Sequence, residues 1–318
     1  MTSLRSALKS ATALAAFSLS FPLASWAEEP LPVVATFSIL GDMVERIGGE
    51  HIALTTLVGP DGDAHVYQPT PKVARSVAEA DVLFLNGLEF EGWLERLAEA
   101  ASFGGAMVVA TKGVVPIAFD DHDDHDDHDE HEDHDDHAGH DHGAFDPHAW
   151  QSLENAVIYA NNIAAGLAQA DPENAGDYYA NRAAFITEVE TLRADIGAMM
   201  KSLPADKRTV VTPHDAFGYF AATYDLTFVA PQGMSTDSEV SAADVAALIT
   251  QIREESISAV FIESITDNRM MQQIANETGA TIGGTLYSDA LSAQSGPAST
   301  YLDMMRHNAT TLFDALGN

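Results

Sequence analysis

The 318-residue chain predicts an α/β fold made of two (β/α) lobes with mostly parallel sheets, joined by one long backbone helix. Three observations carry this. Short β-rich runs alternate with amphipathic stretches over residues 32–110, the pattern of βα units around a parallel sheet. The same alternation returns over residues 208–316. Between the two, apolar residues recur at helical spacing through 171–203 without a strand signal.

In chain order, residues 1–27 read as a secretory signal. Arg5 and Lys9 flank a short apolar stretch, and Ser25-Trp26-Ala27 ends in small residues suited to cleavage after Ala27. The apolar run is too short to span a bilayer. There is no cysteine, so the exported chain is expected to lack both a disulfide and a lipid on an N-terminal cysteine, and to be soluble in a Gram-negative periplasm. With 15 Lys and Arg against 48 Asp and Glu, the formal charge is -33, which argues against a nucleic-acid partner.

The N-terminal lobe, 28–170, is expected to hold strands at 33–36, 51–58, 81–85 and 107–110 with helices between them. A helix over 152–170 closes it, with Leu153, Val157, Ala160, Ile163 and Leu167 on one face. The linking helix, 171–203, starts with Asp171 as N-cap and Pro172 in the first turn. Phe185, Val189, Leu192, Ile196, Met199 and Leu203 then follow at alternating spacings of four and three. Its length, on the order of 45 Å, is enough to reach from one lobe to the other; Gly176 and Gly197 weaken it locally. The C-terminal lobe, 204–318, is expected to hold strands at 208–212, 226–230, 258–262 and 280–286, and helices near 214–223, 241–254, 267–278 and 297–316. A cleft between such lobes is where strand-end loops converge, and so where a ligand belongs.

Residues 120–142 interrupt the first lobe. Here His122, His125, His128, His131, His134, His137, His140 and His142 stand among thirteen carboxylates, with no apolar residue larger than alanine. Such a segment cannot bury enough surface to offset its ordering entropy, so it is expected to be a mobile anionic loop. Solvation alone does not call for a histidine at every third position, whereas imidazole with carboxylate suits divalent transition metals. Without preorganisation it is expected to bind additional ions only weakly.

Five histidines remain outside this loop. His65, His148 and His214 lie in loops that follow strands or open helices, and Asp289 follows the last strand. Singly each histidine reads as a turn or cap. Together, spread over two lobes, they read as a site: three imidazoles suit zinc and leave a fourth position, for which Asp289 is the carboxylate. His51, at a strand start, and His307, inside the last helix, are assigned to structure. Glu263, at a strand end, is a candidate for the outer shell of the site, and Trp150 and Tyr219 are expected to pack around it.

At these residues the chain resembles the cluster A-I metal-binding solute-binding proteins of ABC transporters, the zinc-specific ZnuA-like members in particular. The matching pieces are Ala64-His65-Val66-Tyr67-Gln68-Pro69-Thr70-Pro71, Asp146-Pro147-His148-Ala149-Trp150, His214-Asp215-Ala216-Phe217-Gly218-Tyr219-Phe220 and Tyr287-Ser288-Asp289, with Gly296-Pro297-Ala298 and Tyr301 beyond. The resemblance implies a metal held between two lobes by His65 and His148 from the first and His214 and Asp289 from the second. It also implies that the transported ligand is Zn²⁺, passed to a membrane permease with a separate ATPase subunit. A periplasmic zinc chaperone is a further candidate partner, and the chain is expected to act as a monomer and not as an enzyme. The acidic histidine-rich insertion also resembles the zinc members, although the second-lobe disulfide that some of them carry is absent.

Manganese-type relatives usually have a carboxylate where this chain has His214, and imidazole in its place favours zinc. The alternatives are manganese or iron uptake by the same class, a metal buffer acting through the loop, and a zinc hydrolase. The last lacks support, since there is no His-Glu-x-x-His sequence; nor is there a phosphate-binding loop that would put the ATPase in this chain.

Overall fold

A computed structural model describes residues 29–118 and 145–317. The expected signal segment, the position of its cleavage and the eight histidines of the 120–142 segment lie outside them.

The first sheet is built from β1 (Leu31–Phe37), β2 (Ile52–Val58), β3 (Val82–Leu85) and β4 (Ala106–Val109), ordered β2-β1-β3-β4 and parallel throughout. Helices α1 (Ser38–Gly48), α2 (Pro71–Ala78) and α3 (Leu94–Ala101) connect these strands, and α4 (Leu153–Ala170) follows. The second sheet repeats the pattern: β5 (Thr209–Val211), β6 (Thr227–Val229), β7 (Ala259–Glu263) and β8 (Thr281–Leu286) are parallel in the order β6-β5-β7-β8. Its helices are α6 (Gly218–Tyr224), α7 (Ala242–Glu254), α8 (Arg269–Thr278) and α9 (Tyr301–Leu316). Both sheets therefore reverse winding direction between their two central strands. At such a switch the connecting loops diverge and leave a crevice at the carboxyl strand ends.

Between the sheets in sequence runs α5 (Ala175–Lys201), 27 residues and about 40 Å long. It packs on α1 and α4 from the first lobe and on α6 and α9 from the second. Two expectations about it change. The helix starts at Ala175, after Asn174, and not at Asp171, because the Asp171 carboxylate is engaged by the turn between α4 and α5. It accepts from Asn174 Nδ2 at 2.8 Å and from the Tyr178 hydroxyl at 2.6 Å. The buried face runs through Phe185, Val189, Leu192, Ile196 and Met200, with Met199 only half-buried, since four residues from Ile196 keep closer to the 3.6-residue turn than three do at that point. Gly176 and Gly197 do not break it.

Other helices start later than the sequence suggests. α6 begins at Gly218 because residues 214–217 form the strand-end loop, with His214 bridged to Gln232. α9 begins at Tyr301 because Thr300 caps it, accepting from Asp303 N at 3.2 Å. α7 carries a capping box between Ser241 and Asp244.

One hydrophobic core runs from the first sheet through α4 and α5 to α6, α9 and the near face of the second sheet; a smaller one, with Leu248, Ile252, Val260 and Ile274, lies under α7 and α8. Hydrogen bonds strap the lobes together where the cores meet. Leu291 N donates to Ser38 Oγ at 2.9 Å, Asp61 N to Leu291 O at 2.8 Å, and Tyr301 N to Asp42 Oδ2 at 2.9 Å.

The last of these straps makes stability depend on pH. Burial raises the Asp42 carboxyl from 3.8 to about 6, against the opposing pull of the Tyr301 amide and Arg46. The folded chain thus holds a proton that the unfolded chain has released. The stability this proton confers is full below the unfolded value, and is lost as pH rises through the folded one, by about 3 kcal/mol in all. Asp42→Asn keeps an oxygen acceptor for Tyr301 and removes the charge. Its metal-free Tm should exceed that of the wild type by several degrees at pH 7.5, at about 2–4 °C per kcal/mol, and the difference should close near pH 4. Parallel thermal melts across that range check it; a constant gap would mean that Asp42 does not titrate in the fold.

Candidate metal centre

Four strand-end loops bring His65, His148, His214 and Asp289 to one point, with one ligand atom from each within 4.8 Å of all the others. His65 stands in the loop between β2 and α2. The Trp93 indole fixes this loop by donating to Ala64 O at 2.7 Å, and His65 N donates to Asp63 Oδ1 at 2.9 Å. His148 precedes the short 3-10 turn Ala149–Gln151 that leads into α4. His214 follows β5 and Asp289 follows β8.

The donor atoms face one another. Asp289 Oδ2 is 3.1 Å from His214 Nε2 and 3.2 Å from His65 Nε2, and Asp289 Oδ1 is 3.6 Å from His148 Nε2. The imidazole centroids lie 5.5–6.0 Å apart. For an ion bound at 2.0–2.1 Å, neighbouring donors in a tetrahedron are about 3.3 Å apart. His148, His214 and Asp289 are fully buried. Yet Nε2 of His65 and of His148 and Oδ1 of Asp289 have no hydrogen-bond partner outside this cluster. Orphaned buried polar atoms cost about 1–3 kcal/mol each, and a cation placed among them would satisfy all three at once.

A second layer of carboxylates turns the rings. Asp146 Oδ1 accepts from His148 N at 2.9 Å and lies 2.7 Å from His148 Nδ1. A proton held on Nδ1 leaves the Nε2 lone pair directed into the cluster. Glu263 does the same for the other lobe: its Oε2 lies 2.6 Å from His214 Nδ1 and accepts the Ser288 hydroxyl at 2.8 Å, and its Oε1 accepts from His214 N at 3.3 Å. Burial alone would lower the His214 pKa, but Glu263 and Asp289 hold it well above the usual imidazole range. Burial would likewise raise Asp289, and His214 and His148 hold it well below the usual carboxylate range.

The aromatic wall is Phe37, Phe90 and Trp150. The Trp150 ring centroid is 5.3 Å from that of His148, and Phe90 is 4.8 Å from His65. Trp150 also crosses between lobes, its indole donating to Ser288 O at 2.8 Å beside Gln151 Nε2 at 2.7 Å. Tyr219, expected to pack, also bonds: its hydroxyl donates to Asp146 O at 3.1 Å and accepts from Ile117 N at 3.2 Å. Gly218, just before it, allows this approach, since a Cβ there would lie 2.4 Å from Asp146 Oδ2.

His51 and His307 stay outside the cluster. His51 pairs with Asp177 at 2.9 Å, and His307 meets Thr285 O at 3.0 Å. The sequence reading did not assign Asp146, Gln151 or Ser288 a role. Asp146, two residues before His148, carried a local signal, because an Asx side chain reaches the backbone two positions on. Gln151 and Ser288 carried none.

Glu263→Gln should weaken metal binding by about 10–100-fold, the usual cost of an outer-shell carboxylate on a ligand histidine, with the fold retained. Competition titration checks this; affinity within twofold of the wild type would remove Glu263 from the site.

Two parallel α/β lobes that close a buried histidine and carboxylate cluster define the class: a metal-binding, substrate-binding protein of an ABC transporter. A model of the family described as ZnuA, zinc-uptake complex component A periplasmic, matches residues 33–315, and the chain belongs to that family. Similar proteins carry different metals in their names. The manganese-binding lipoprotein MntA of Halalkalibacterium halodurans is 30% identical over 289 residues, 91% of this chain and 89% of the relative. The iron-binding protein YfeA of Yersinia pestis is 31% identical over 285 residues, 90% of this chain and 86% of the relative. The periplasmic zinc binding protein TroA from Treponema pallidum has the same fold with a TM-score of 0.80, at 27% identity over 91% of this chain and 99% of that one.

Proposed function

We propose that this protein is the periplasmic capture component of a zinc importer, taking Zn²⁺ as cargo at His65, His148, His214 and Asp289 and delivering it to the membrane permease. The observation that carries the reading is the convergence of three imidazole Nε2 atoms and one buried carboxylate, with two of the nitrogens and one oxygen otherwise unpartnered. The donor separations would suit several first-row ions. The kind of donor separates them: three nitrogens favour zinc, whereas manganese and magnesium favour all-oxygen or oxygen-rich sets.

In this reading the first lobe, 28–170, supplies His65 and His148, and the second, 204–318, supplies His214 and Asp289. The helix within 171–203 fixes their spacing. With Asp289 in the fourth position no coordination place is left for a water molecule to be activated, so the site stores and releases an ion and does not hydrolyse a substrate.

Manganese or iron is the second reading, because MntA and YfeA are named for those metals. Zinc-edge anomalous diffraction on loaded crystals, with zinc–manganese competition in solution, separates the two. Zinc should occupy the four-residue site and resist displacement by a hundredfold excess of manganese, roughly the margin that 2.7 kcal/mol of preference provides. Displacement by equimolar manganese would transfer the reading to the manganese class.

A further inference from the structure

The Pro147 carbonyl and the His148 amide belong to one planar peptide group, and this group is held at both ends. His148 N donates to Asp146 Oδ1 at 2.9 Å, and Pro147 O accepts from Asn86 Nδ2 at 2.8 Å. With its oxygen and its N–H both fixed, the peptide sets the direction of the bond to the His148 Cα, and so where the imidazole projects. Asn86 follows directly on β3 and stands 61 residues before Pro147.

Asn86 is itself held on every polar atom. Its N donates to Glu91 Oε1 at 2.7 Å, and its O accepts from Thr111 Oγ1 at 2.6 Å and Thr111 N at 3.2 Å. Its Nδ2 donates to Gly87 O at 2.9 Å as well as to Pro147 O, and its Oδ1 accepts the Tyr159 hydroxyl from α4. Turned over, the amide would set Oδ1 against two carbonyl oxygens, so Tyr159 secures the sense in which it donates. Glu91 anchors the group below: Oε1 also accepts Thr36 Oγ1 from β1 at 2.6 Å, and Oε2 accepts Gly87 N at 3.2 Å.

The network is dry. Thr36, Asn86, Tyr159 and His148 are fully buried and Glu91 nearly so, which leaves no solvent to replace a lost bond. Every hydrogen bond of the Asn86 side chain goes to Gly87, Pro147 or Tyr159, and none to a ligand side chain. Its reach toward the metal therefore runs through the backbone of residues 147–148, to one donor of the four.

We propose that, given the four-residue metal site, Asn86 is a positioning residue for zinc capture: it acts on His148 through the Pro147 carbonyl, with Tyr159 setting the orientation of its amide. Asp146 then fixes the ring and the amide end of the same peptide, and Asn86 fixes the carbonyl end.

Zinc competition titration on the full chain, as a double-mutant cycle with His148→Ala, tests this. Asn86→Ala should bind zinc about tenfold more weakly than the wild type, and Tyr159→Phe several-fold more weakly, with thermal melts showing both folded. In the His148→Ala chain the same two changes should leave the remaining zinc affinity within about twofold, since the ring they position is gone. A residue that only supports the fold would weaken both backgrounds alike. Equal losses in the two backgrounds, or no loss in the first, would overturn the role of Asn86 while the site itself stands. Should Asn86→Ala not fold, Tyr159→Phe, which loses a single hydroxyl, decides by the same cycle. Wild-type zinc affinity in His148→Ala would instead overturn the metal site, and the role of Asn86 with it.

Discussion

His148→Ala should lower zinc affinity by more than the roughly 10–100-fold expected for an outer-shell change such as Glu263→Gln, because it removes a donor and not merely the support of one. His148 Nε2 lies 3.6 Å from Asp289 Oδ1 with no other partner, and Asp146 holds its Nδ1. Three donors would remain, and an ion there would take a water molecule as the fourth. The fold should survive. Asp146 keeps the amide of residue 148 as a donor, and Phe90 and Trp150, which flank the ring, also pack on each other at 4.8 Å. Competition titration and a thermal melt together check this: wild-type affinity in a folded variant would sink the four-residue site, whatever the metal.

Trp150→Ala should be the most destabilising of the substitutions considered. Trp150 is fully buried, packs on Phe37, Phe90 and His148, and bonds across the lobes to Ser288 O, while its own carbonyl accepts the Tyr301 hydroxyl at 2.7 Å. Truncating a buried tryptophan costs about 3–5 kcal/mol, which for a chain of this size lowers Tm by roughly ten degrees. Zinc affinity should fall as well, since His148 loses its wall and the Ser288 carbonyl next to Asp289 loses one of its two donors. Trp150→Phe separates these effects: it keeps most of the packing and loses only the bond to Ser288. A Tm for the alanine variant within two degrees of the wild type would show that the ring is not part of the inter-lobe contact.

Much of the architecture was legible because it is local. The period-two and period-3.6 patterns depend on residues a few positions apart, so all eight expected strands occur close to their expected places, and a helix of 27 residues falls where one was expected. Helix starts were less legible, since an N-cap is decided by which competing acceptor wins. At Asp171 the winner was the turn with Asn174 and Tyr178, and at Thr300 it was the cap of α9.

The ligand residues were nameable for a chemical reason: histidine and aspartate at strand ends are the donor types a metal needs, in the loops where a parallel sheet offers them. How those residues are oriented was not nameable. Glu263 was legible only as a candidate at a strand end; that it meets His214, 49 residues away, was not, and Ser288 accepts from Trp150 and Gln151 over 138 and 137. A contact between distant positions leaves no periodicity to detect. By itself, then, the sequence determined the βα order, the long helix and the kinds of donor atom, all properties of short stretches of chain. Only the tertiary structure decided that the donors lie 3.1–3.6 Å from one carboxylate and that two of their nitrogens have no other partner. Those facts depend on how two lobes pack against one helix, and that packing is set by the whole chain at once.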